Sequence, residues 1–181
     1  MKIKYIQFLK GCIALIITVT CLFIVQAVWQ NYAVGLPLDK ALNDIDGVLS
    51  VTLDDSHKIN DSTTIHVTLD NTANLQKTYK EISTKIEQTL KGSEYTLEIK
   101  DNRSPELEQA YYDIHYYIQK SIVDGDFPQL EAKVREKADL AGATAKVYVD
   151  EQNIYLQLEK NDSFLYSVVT RQSDKIGGNF R

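Results

Sequence analysis

The sequence predicts an α+β protein: a single N-terminal transmembrane helix followed by a small extracytoplasmic domain of two antiparallel β/α halves, αββαβ and then ααβββ. Three observations predict it. No charged residue occurs from Gly11 to Leu38. Beyond that window, apolar residues alternate with polar ones in six short runs and recur at steps of three and four in longer runs. Clusters of Asp, Asn, Gly and Pro separate one run from the next.

The N-terminal element rests on Cys12–Trp29, which reads CIALIITVTCLFIVQAVW and is interrupted only by Thr18, Thr20 and Gln26. At 1.5 Å per residue, 18 helical residues cover about 27 Å, close to a hydrocarbon core of roughly 30 Å. Both threonine hydroxyls can bond back to their own helix. Lys2, Lys4 and Lys10 precede the run, and Asp39 is the first charge after it. Basic flanks are retained in the cytoplasm, so the expected arrangement is a cytoplasmic segment 1–10, a signal-anchor through the lipid bilayer at 11–30, and an exported C-terminal domain. Trp29 and Tyr32 fall at one interface, Tyr5 and Phe8 at the other. The localisation expected is the cell membrane, single-pass. A cleaved signal peptide is the alternative, with Cys12–Ile24 as its apolar stretch and Val25-Gln26-Ala27 as its cleavage site. The apolar character that continues to Leu36 favours retention. A lipoprotein anchor fits poorly, because Cys12 stands at the start of the run and not after it, and Cys21 follows Thr18-Val19-Thr20, where a small residue is needed just before the cysteine. A pilin-type segment would need a glutamate where Ile16 stands.

Charge narrows the partners. Three of the 20 basic residues and none of the 25 acidic ones precede Asp39, which leaves an acidic excess of eight from Asp39 onward. Such a surface repels nucleic acid and anionic headgroups. Both cysteines, Cys12 and Cys21, lie in the span, so the exported part has no thiol and no disulfide. A small eukaryotic ectodomain would usually be stapled by disulfides; the expected setting is a bacterial cell envelope.

The first unit is expected over 39–102. Asp39–Ile45 makes about two helical turns with Leu38, Ala41, Leu42 and Ile45 on one side, after a stiff exit at Leu36-Pro37-Leu38, and Gly47 ends it. In VLSVTLDD, Leu49, Val51 and Leu53 alternate with Ser50 and Thr52; Ile65, Val67 and Leu69 repeat the pattern. Both read as half-buried strands in an antiparallel pair. Asn74–Lys91 is a helix with Leu75, Tyr79, Ile82, Ile86 and Leu90 in one stripe. Tyr95, Leu97 and Ile99 mark a third strand.

The second unit is expected over 104–171. Ser104 and Pro105 start a helix as cap and first-turn residue. Its buried face is Leu107, Ala110, Tyr111, Ile114, Tyr117, Ile118 and Ile122, and Asp124-Gly125-Asp126 breaks it. Pro128–Ala141 carries Leu130, Val134, Ala138 and Ala141 in step. Strands follow at Ala145–Val149, Ile154–Leu158 and Phe164–Thr170, and residues 172–181 read as a disordered tail. The element order of 39–101 resembles the helix–strand–strand–helix–strand units of ring-building modules in secretion and sporulation rings, and of lipid-facing modules in bacterial outer membranes. The likeness is of element order, without a motif, and identifies no family.

No catalytic constellation is legible. His57 falls in a polar loop, His66 on the solvent side of a strand and His115 on a helix, none with a second ligand at metal spacing. Asp54-Asp55, Asn60-Asp61, Asp124 and Asp126 read as solvated turns, since the glycines nearby do not complete a calcium loop. Gly-rich phosphate loops are absent, and no cofactor is expected. The unusual stretch is Tyr111–Tyr117, YYDIHYY. On a helix, Tyr112, His115 and Tyr116 fall outside the apolar stripe, with Tyr112 and Tyr116 side by side. Burial of this helix between the two halves is the first expectation; otherwise Tyr112, His115 and Tyr116 are the candidate interface, aromatics with polar tips being common interface anchors, or they stack on a ligand. The function expected is a non-catalytic interaction or scaffold module partnered with an envelope or membrane protein, with a homo-oligomer left open. The alternatives are an envelope sensor that binds a small ligand, and an exported hydrolase.

Overall fold

The computed structural model describes residues 13, 15–25, 36–54, 63–91 and 93–171. Among the described residues the fold is mixed α+β, with two small sheets and five helices. Residues 15–25 form helix α1, whose described side chains are all exposed, Leu15, Ile16, Leu22 and Phe23 among them. The Thr20 hydroxyl donates to the Ile16 carbonyl at 2.8 Å, as a threonine inside an apolar helix must to satisfy itself. Among the described residues no helix is long and apolar enough to cross a membrane. The remainder of the expected span at 11–30, the loop with His57, Gly92 and the tail 172–181 lie outside the described residues.

The first sheet runs β1 (Val48–Asp54), β2 (Thr63–Leu69), β3 (Tyr95–Lys100), with α2 (Leu36–Asn43) before it and α3 (Leu75–Leu90) between β2 and β3. Three expectations are corrected here. Leu36-Pro37-Leu38 is not an exit but the first turn of α2, which brings Leu38 to full burial beside Leu42 and Ile45. Pro37 is tolerated because a first-turn residue has no helical acceptor for its missing N–H. Leu49 does not face the core. A bulge between Val48 and Ser50 lets Val48 pair with Leu69 and turns Leu49 outward, while Val51 opposite Val67 and Leu53 opposite Ile65 keep the alternation. The unit is also not wholly antiparallel. β1 and β2 are antiparallel, but β2 and β3 are parallel, because α3 carries the chain back along the sheet before β3 begins.

The chain turns into β1 at Gly47, whose φ of +88° suits glycine and whose missing Cβ would lie 3.2 Å from the Thr72 side chain. α3 starts where Asn74 caps it by accepting from Lys77 N at 2.9 Å, and it buries Leu75, Thr78, Ile82 and Ile86.

The second sheet is β4 (Thr144–Val149), β5 (Asn153–Lys160), β6 (Ser163–Thr170), antiparallel throughout, with α4 (Pro105–Asp124) and α5 (Phe127–Leu140) on one face. Ile154, Leu156, Leu158 and Leu165 pack against the buried stripes of those helices. The opposite face is covered as well. Tyr155, Phe164 and Tyr166 share a core with α2, α3 and the inner residues of β2. β5 is therefore buried on both sides.

Polar bonds fasten the halves at that junction. Gln157, 2% exposed, donates through Nε2 to the Thr72 carbonyl at 2.6 Å and accepts from Leu75 N at 3.3 Å. The Tyr166 hydroxyl donates to the Asp70 carbonyl at 2.7 Å and accepts from Thr72 N at 3.1 Å. Phe164 N donates to the Asn102 carbonyl at 3.0 Å, so β3 and β6 meet at one corner without forming a continuous sheet.

Candidate functional site

Among the described residues α4 is the longest helix, and its ends are well made. Ser104 accepts from Leu107 N, Pro105 occupies the first turn, and Gly125 closes the helix at φ +73°. Leu107, Ala110, Ile114, Ile118 and Ser121 are buried, and Tyr111, Tyr117 and Ile122 are half-buried, as the stripe requires. The helix is not sandwiched between the halves. It lies on the outside of the second sheet, which leaves Tyr112 56% and Tyr116 59% exposed.

The structure brings the three candidate residues into one aromatic cluster. His115 Nδ1 lies 2.7 Å from the Tyr112 carbonyl. A carbonyl only accepts, so Nδ1 carries the proton, and in the neutral ring Nε2 remains an acceptor. The His115 and Tyr116 rings are 3.8 Å apart, and Tyr112 meets Tyr116 edge to face at 5.8 Å. The Tyr116 hydroxyl donates to the Tyr112 hydroxyl at 3.4 Å, and that bond holds the Tyr116 phenol above its usual pKa. Tyr111 is tied inward, its hydroxyl accepting from Ser167 at 3.3 Å.

Val123 belongs to this surface, and the sequence reading missed it. Tyr112, Tyr116, Gln119 and Val123 follow at steps of four, three and four, and all four are exposed, Val123 at 84%. They form a second seam on the side of α4 away from its buried stripe. The signal was present in the spacing, but one valine and one glutamine do not read as an apolar face until the burial of the first stripe is known.

Beside the seam, between the N-terminal half of α4 and the end of α5, lies an open groove of about 530 Å³. Glu106 and Asp113 on α4 face Lys137 and Lys160 across it, and Leu140, 77% exposed, stands at its edge. Such a lining presents both signs of charge and little enclosure.

Other polar clusters are placed differently. His66 sits on the outer face of the first sheet, level with Thr52 and Glu98. Its Nδ1 is 3.0 Å from the Glu98 carboxylate, which lies out of line for a hydrogen bond. Asp150 collects Lys80 at 2.8 Å, the Tyr155 hydroxyl at 3.0 Å, and the backbone N–H groups of Gln152 and Asn153. Burial alone would raise its pKa; the Lys80 ammonium and these donors outweigh that and hold the carboxyl well below the ordinary range. Tyr155 is pushed up to about 12 by burial, with the adjacent carboxylate adding to the shift. This cluster ties α3 to the second sheet, a structural role. Among the described residues no group of three or more His, Cys, Asp or Glu is placed to hold a metal ion.

No family model matches this sequence, and no curated protein or solved structure matches it.

Proposed function

We propose that this chain is a single-pass, membrane-anchored module of the cell envelope whose α+β body lies outside the cytoplasm and acts by docking to another protein, without catalysis. The observation that carries the reading is the uncovered seam on α4, where two preordered tyrosines, a half-buried histidine and an exposed valine form one surface. Exposed aromatic side chains gathered on one face of a folded body read as a contact site, whereas apolar residues scattered singly do not. Tyrosine supplies large area at low entropic cost, and its hydroxyl tolerates water until a partner arrives.

The anchor is supported by α1, whose described apolar side chains are all exposed and match a lipid solvent. The lysines before it, Lys2, Lys4 and Lys10, set the direction.

A photoreactive amino acid at position 112 of the full chain, activated in membranes of the cells that make it, is expected to yield an adduct of higher mass. The same group at Thr96, on the outer face of the first sheet, is expected to yield none. Equal yields at the two positions would remove the docking reading.

A further inference from the structure

We propose that the occupant of the α4 seam is a second copy of this chain, docked antiparallel, α4 on α4, across a two-fold axis beside Tyr116. This rests on the docking reading of the seam and names its partner.

The first argument is charge. A two-fold axis perpendicular to a pair of facing helices reverses their direction and keeps each flank on its own side. Asp113 and Lys120 lie on the same flank of the seam, seven residues apart, and are centred between Tyr116 and Tyr117. The rotation therefore sets Asp113 opposite Lys120 of the second copy, and does so twice. In the single chain both groups are exposed and make contacts within the helix that can be exchanged, Asp113 with Gln109 at 3.3 Å and Lys120 with Asp124. The contact line itself, Tyr112, Tyr116, Gln119 and Val123, carries no charge. That matters in a body with an acidic excess of eight, which otherwise opposes self-association.

The second argument is shape. Steps of four, three and four are the spacing at which one helix lays a straight seam along another. The same rotation sets Tyr116 on its own copy and Tyr112 beside Gln119. It also carries Val123 to the level of Gln109 and Ala110, at the groove where Leu140 is exposed. The two most exposed large apolar side chains of the described body thus fall at the ends of one contact. A single helical face is at the small end of stable interfaces, which bury roughly 800 Å² per partner. Two copies held in one membrane make up that shortfall through raised effective concentration.

The test uses the full chain in its membrane with Cys12→Ser and Cys21→Ser. Tyr116→Cys is expected to give a disulfide-linked dimer on mild oxidation, and Thr96→Cys is not. Asp113→Lys and Lys120→Asp are each expected to lower the dimer about tenfold, since like charges then face one another twice; the double reversal restores it. If Tyr116→Cys gives no dimer while the photoreactive group at position 112 captures a different protein, the second-copy proposal falls and the docking reading stands. If neither captures anything, both fall. A dimer equally abundant at Thr96, or indifferent to the reversals, reflects collision in the membrane and overturns the proposal.

Discussion

Replacing Gln157 with leucine isolates the bond that joins the two halves. The leucine is of similar size and suits a residue 2% exposed, so packing is nearly conserved. It leaves the Thr72 carbonyl and the first N–H of α3 buried and without their partners. Each orphaned group costs about 1–3 kcal/mol. The bond to Leu75 N is long at 3.3 Å and contributes at the low end, whereas the 2.6 Å bond to Thr72 contributes more. The expected loss is about 2–4 kcal/mol, a fall in Tm on the order of 10 °C for a body of this size. Thermal unfolding followed by near-ultraviolet circular dichroism reads it, because Tyr155 and Tyr166 sit at the same junction. A loss below about 0.5 kcal/mol, the range of ordinary surface changes, would refute the bridging role of Gln157.

Two further outcomes follow from local geometry. Asp150→Asn removes the ion pair to Lys80 and is expected to cost about 1–2 kcal/mol near neutral pH, discounted because Lys80 is half exposed. The folded pKa of Asp150 is depressed, so its contribution is present above the unfolded value of about 3.9 and is lost as pH falls below it; melts at neutral pH and at about pH 3 should show the gap to wild type narrowing on acidification. Leu49→Ser is expected to change stability by less than about 0.5 kcal/mol, since the bulge holds the side chain in solvent. A loss of about 2 kcal/mol or more, as for a core leucine, would show that Leu49 faces inward after all.

The elements were largely legible in the sequence because each carried its own punctuation. Ser104-Pro105 and Gly125 bound α4 in the chain as they do in the structure, and the alternations at Ile65–Leu69 and Ile154–Leu158 mark their strands. What escaped was set by contacts distant in sequence. The parallel pairing of β2 with β3 depends on where α3 leaves the chain, which period alone does not record. The bulge at Leu49 appears only against the register of β2. Gln157 occupies an outward position in a strand that reads as half-buried, and it becomes a buried bridge because a second layer covers that face. Of the candidate surface, Tyr112, His115 and Tyr116 were found from their place off the apolar stripe. Val123 was not, since a lone valine at the end of a helix has no signal of its own.

The central claim, a body outside the cytoplasm with a covered face on α4, meets its most direct test in the reactivity of single cysteines toward a membrane-impermeant maleimide on intact cells. With Cys12 and Cys21 replaced, Thr96→Cys should react at once, and Tyr116→Cys should react slowly until detergent separates the docked partner. Two positions that stay silent until the membrane is breached would place the body inside, and two that react at equal rates on intact cells would show that nothing covers α4.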